Sequence, residues 1–153
     1  MEDKSKLTEP HRLSKMGTDS MKRFFVEASR GRFRIQGFVQ EVGQDLLISI
    51  WGGTRSHIGA VGIAIPRPSL KNPKKWSATS STFTFIGHKE DTLVKTISER
   101  LAARLKRNVV VTAGIHWDGI TSDEIKAVQN LTQKLSDQII KKLKTSKEKR
   151  KVR

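Results

Sequence analysis

Val109-Val110-Val111-Thr112-Ala113-Gly114-Ile115-His116-Trp117-Asp118-Gly119 begins as an unbroken β-branched run and ends as a loop of Gly, His, Trp and Asp. The first half reads as a strand buried on both faces. The second half leaves that strand just before a helix start, where Thr121 and Glu124 have the spacing of a capping box. In open sheets flanked by helices, loops at strand ends are where ligands are held. Whether this loop is a site depends on what the rest of the chain brings to the same edge.

Working outward, Ile125, Val128, Leu131, Leu135, Ile139 and Leu143 make the buried stripe of the following helix. Upstream, Leu93, Val94, Ile97, Leu101 and Leu105 recur at helical spacing. Gly87-His88-Lys89-Glu90-Asp91 opens that helix, with acids in the first turn where the dipole favours them. Residues 77–85 read as a Ser/Thr-rich strand and residues 66–73 as a proline loop. Residues 57–65 and 46–51 read as further strands, separated by Gly52-Gly53-Thr54-Arg55-Ser56. A turn at Gly43-Gln44-Asp45 precedes them, and the first strand spans residues 33–39 with a bulge near Gly37. The order predicts an α+β domain: a single mixed, largely antiparallel sheet of about five strands, with two amphipathic helices on one face. The other face then needs a cover, and the simplest cover is a second copy, giving a homodimer.

At 153 residues the chain has room for one domain with a real core. Residues 1–30 read as a flexible N-terminal segment with a short helix near residues 20–28. Residues 31–143 form the domain, and residues 144–153 a basic disordered tail. There is no cysteine, so disulfides and thiolate zinc sites are excluded. No apolar run of about eighteen residues exists, and no apolar segment follows the N-terminal charges. The expectation is a cytoplasmic protein with no membrane partner. The net charge of +15 invites a nucleic-acid partner. Much of it sits in residues 141–153, without a reading helix or stacking platform, so that role ranks last.

Strand direction now matters. If the 46–51 strand ends at the top, the next runs down, the fourth runs up, the first helix descends and the Val109 strand climbs. Three segments then meet at the top edge. They carry Gly52, Gly53, Thr54, Arg55, Ser56 and His57; Gly87, His88 and Lys89; and His116 with Asp118. Glycines let backbone N–H groups approach a ligand, helix N-termini attract anions, and Arg55 can grip a phosphate with two donors. Trp117 offers a flat surface. The competing readings are a plain Gly-Gly turn and histidines that only tie loops together. No metal site is expected, because no two of the histidines share close ligand spacing. No catalytic role is expected either: Ser56 lacks a nucleophile elbow, and no acid–base pair stands out.

At these same loops the sequence resembles the LpdD-like family. The resemblance lies in Gly52-Gly53-Thr54-Arg55-Ser56-His57-Ile58-Gly59-Ala60-Val61, Arg67-Pro68-Ser69-Leu70, Ser77-Ala78-Thr79-Ser80-Ser81, Gly87-His88-Lys89-Glu90-Asp91 and Thr112 through Gly119. It covers about residues 31–143. It implies a non-enzymatic chaperone for prenylated FMN, serving a UbiD-type decarboxylase, with a fold similar to the small proteasome-assembly chaperones. It also implies a phosphate or ring edge near Gly52, Gly53 and Arg55, with His57, His88 and His116 bonding the ring system or holding the loops. The alternative is a protein-interaction module like those assembly chaperones, without a small ligand.

Overall fold

The computed structural model describes residues 22–87 and 90–151. Its elements run β1 (Arg23–Arg30), β2 (Phe33–Val42), β3 (Asp45–Gly53), β4 (Ala60–Pro68), β5 (Trp76–Thr84), α1 (Asp91–Leu105), β6 (Val109–His116) and α2 (Ser122–Lys151). They build an open six-stranded sheet in the order β1-β2-β3-β6-β4-β5. β6 is parallel to β3, and every other pairing is antiparallel. The run that opened the sequence reading is therefore an interior strand. Val109 and Val111 are fully buried, while Val110, on the opposite side of the sheet, is only half-buried.

Both helices lie on one face. α1 packs on β4, β5 and β6, α2 packs on β1 and β2, and the helices touch each other. Between helices and sheet, Ile35, Val39, Ile48, Ile50 and Val111 meet Val94, Ile97, Leu101, Leu131, Leu135 and Ile139 in one continuous core. Burying each such side chain contributes about 1.5–3 kcal/mol. The sheet under α1 is built of small residues, Ala60, Gly62 and Ala64. At Gly62 a Cβ would meet the Val94 carbonyl at 2.8 Å, so the helix sits closer than a larger side chain would allow.

Four expectations change. The sixth strand is β1, where a short helix was expected near residues 20–28 and ordered structure only from residue 31. Val26 and Ala28 point into the core and Phe25 and Glu27 point out, so the alternation and the ladder offered by β2 prevail over a local helix. Residues 1–21, the rest of the segment expected to be flexible, lie outside the described residues. There is no bulge at Gly37, which pairs one-to-one with Val26 and Ile50. Its missing side chain instead admits α2: a Cβ there would come within 3.2 Å of Leu135 Cδ2. Finally, α2 continues to Lys151, into the segment expected to be a disordered tail, and no Gly or Pro interrupts it.

The face away from the helices is strongly apolar. Phe25 and Phe83 are 64% and 66% exposed there, alongside Leu47, Ile63 and Ile65. Phe25 stacks obliquely on its cross-strand neighbour Phe38, ring centroids 5.0 Å apart. Among the described residues no helix is long and apolar enough to cross a membrane.

Candidate functional site

Because β3 and β6 run parallel, their C-terminal ends share one rim, with Gly53 opposite His116. Three backbone bonds of 2.8 Å stitch the rim together: Thr54 N–H to the His116 carbonyl, Gly59 N–H to the Ala113 carbonyl, and Phe85 N–H to the Gly59 carbonyl. Gly53 and Gly114 allow this closeness. A Cβ on Gly53, whose φ is +93°, would overlap the His116 carbonyl, and one on Gly114 would overlap that of His57. Of the residues singled out in the sequence, Gly52, Gly53, Thr54, Arg55, Ser56, His57, Gly87, His116 and Asp118 come to this rim. His88 and Lys89 lie outside the described residues.

The side chains of the rim form two carboxyl–imidazole pairs. His57 Nδ1 lies 3.1 Å from the Arg55 carbonyl, which can only accept, so that nitrogen carries a proton. Its Nε2 lies 3.1 Å from Glu90 Oε1, which also accepts the Ile115 N–H at 3.3 Å. Glu90 is buried, and its carboxyl rests against Gly59, where a Cβ would collide with it. In the second pair, His116 Nε2 donates to Asp118 Oδ1 at 2.8 Å. That bond, helped by the charges of His116 and Arg55, holds the Asp118 carboxyl below its ordinary value. The His57 and His116 rings stand 6.4 Å apart at 75°.

Glu90 is the residue that sequence reading missed. It looks like any acid favoured at a helix start, whereas its partners lie 25 and 33 positions away. Trp117 also differs from expectation. Only 8% exposed, it packs edge-on against Phe33 with centroids 5.0 Å apart, so it is chiefly a core residue.

The start of α2 does follow its sequence signal. Thr121 N–H donates to Glu124 Oε2 at 2.9 Å, and Glu124 N–H to Thr121 Oγ1 at 3.3 Å. The bond from the Thr121 N–H, with the Arg32 guanidinium at 3.0 Å, lowers the Glu124 pKa from 4.5. Beside the rim, between α1 and α2, opens a cleft of about 720 Å³. Gly87, Glu90 and His116 border it at the rim end, and Ile115 and Trp117 reach its floor.

Residues 29–144 match the family described as "Prenylated flavin chaperone LpdD-like domain". The chain is 36% identical over 112 residues to Protein LpdD of Lactiplantibacillus plantarum, spanning 71% of this chain and 76% of that protein. A chain in the crystal structure of a chaperone complex for yeast 20S proteasome assembly is similar with a TM-score of 0.49. That likeness is at 13% sequence identity and covers 82% of this chain and 96% of the other.

Proposed function

Since the chain belongs to the LpdD-like family of prenylated flavin chaperones, we propose that it carries prenylated FMN to a UbiD-type decarboxylase without itself catalysing a reaction. The observation that carries this reading is the junction of two features at one end of the sheet. One is the loop rim of glycine backbone, Arg55 and paired histidines; the other is a cleft within the size range of organic ligand sites, roughly 300–1,000 Å³. The residues present suit a flavin nucleotide, which needs room for a flat ring system, neutral hydrogen-bonding edges and a place for an anion.

In this reading Gly52, Gly53, Thr54, Arg55 and Ser56, with Gly87 and Lys89, receive the phosphate end. His116, oriented by Asp118, and His88 meet the ring edge. His57 has both ring nitrogens engaged within the chain, which favours its loop-holding role. The protein works in the cytoplasm as a homodimer, a second copy covering the apolar sheet face around Phe25 and Phe83.

Calorimetric titration of the full chain with prenylated FMN tests the carrier role. Binding is expected, and Arg55→Ala together with His88→Ala is expected to weaken it at least tenfold. No heat of binding, or no change in the double variant, contradicts it. Sedimentation tests the dimer: Phe25→Lys with Phe83→Lys should convert a dimer into a monomer, and a monomeric parent chain would refute the pairing.

A further inference from the structure

The cleft has a chemical character of its own. We propose that the cleft between α1 and α2 seats a neutral, planar, partly apolar ring system, and that any charged part of the same ligand stays outside it at the rim. The identity of that ligand rests on the carrier reading, but its class rests on the cleft alone.

Charge gives the strongest argument. The chain holds 30 Lys and Arg for 15 Asp and Glu, yet no lysine or arginine is among the described residues lining the cleft. Among the described lining residues the one acid is Glu90 and the one imidazole His116, both at the rim end and both bonded within the chain. A phosphate drawn into such a space would give up part of its hydration without meeting a cation among these residues, so nothing there offsets the loss. The cleft therefore selects against anions in a molecule that is otherwise rich in positive charge.

The walls supply the rest. Leu93 and Ile97 of α1 face Ile125 and Val128 of α2 across the opening. Ile125 is 44% exposed although it belongs to the apolar stripe of its helix, and Leu93 opposite is half-buried, while Ile97 and Val128 lie buried behind them in the core. Interleaved with these are Thr92 and Thr96 on one wall and Gln129 and Gln133 on the other. Hydroxyls and side-chain amides both donate and accept, which matches the alternating N–H and C=O groups along the edge of a heteroaromatic ring. Partly exposed aliphatic walls carrying neutral polar groups, with no lysine or arginine among the described lining residues, describe a ring seat and not a phosphate site.

The test blocks the seat from either wall. Thr96 and Gln129 are exposed, so Thr96→Trp and Gln129→Trp add an indole to the cleft without opening the core, and thermal melts of the full chain check that the fold is kept. Two probes are titrated by calorimetry: prenylated FMN, and lumichrome, a flavin-like ring system with no phosphate. The parent chain is expected to bind lumichrome in competition with prenylated FMN, and each Trp variant to weaken both at least tenfold. A parent chain that does not bind lumichrome overturns the proposal, as do Trp variants that bind both probes like the parent. Lumichrome bound and blocked while prenylated FMN fails to bind would leave the seat standing and remove the carrier role. Prenylated FMN bound equally by the parent and both variants would do the reverse.

Discussion

α1 and α2 start at the same end of the molecule, on either side of one cleft, and they start in opposite ways. α2 is capped by its own sequence: Thr121 and Glu124 satisfy each other's backbone N–H groups across three positions. At α1 the N-cap residue Glu90 makes no side-chain capping bond. Its carboxyl turns instead to the Ile115 N–H of β6 and to His57 of the β3–β4 loop. One helix start is held by local chemistry, and the other is bound into the tertiary structure at the rim. The acid that would ordinarily serve the helix serves the site, and this is why Glu90 is central to the rim while Glu124 is not.

Substitutions sharpen that contrast. The largest effect is expected for Glu90→Ala, which removes one partner each from His57 and the Ile115 N–H in a buried setting. A loss of about 3 kcal/mol in denaturant unfolding is predicted, the cost of leaving such groups unpaired. Next comes a coupling between Glu90 and Gly59. Gly59→Ala should destabilise the parent chain through the clash with the Glu90 carboxyl, and should destabilise Glu90→Ala less. A double-mutant cycle should therefore return about 1–2 kcal/mol of interaction, and additivity would contradict the packing described. Thr121→Ala, a local lesion, should cost about 1 kcal/mol and leave that Glu90–Gly59 coupling unchanged.

The smallest effect is pH-dependent. Glu124 has a folded-state pKa lowered from 4.5, so its contribution is fully present above that value and is lost as pH falls through the folded pKa. Glutamine can still fill the capping box. The stability gap between the parent and Glu124→Gln should thus be present at neutral pH and shrink as the solution is acidified below pH 4.5. A gap that widens on acidification has the wrong sign.

What could be read from the sequence divides along the same line. The Thr121–Glu124 box, the β-branched run at Val109 and the apolar stripes of both helices are local patterns, and each forms the element it announces. Strand directions followed from counting connections, and they placed residues 52–57 and 114–119 at one rim as the backbone bonds now show. The misreadings come from partners distant in sequence. Residues 20–28 taken alone suggest a short helix, whereas the free edge of β2 imposes the two-residue period of a strand. Gly37 resembled a bulge because nothing local discloses Leu135 above it. Glu90 and the cleft are hidden for the same reason: the partners of Glu90 are His57 and Ile115, 33 and 25 positions away, and the cleft depends on how α1 and α2 diverge, which no window of sequence encodes.

The central claim is that prenylated FMN is held at the rim where β3, β6 and the start of α1 meet. The most direct measurement is an amide NMR titration of the full chain with that ligand. Shifts centred on Thr54 to His57, Glu90 to Leu93 and Ile115 to Trp117, extending along the cleft to Thr96 and Gln129, with affinity at least tenfold lower in Glu90→Ala, are the predicted result. An unperturbed spectrum, or shifts confined to the opposite end of the sheet around Gly43, Asp45 and Asn108, would contradict it.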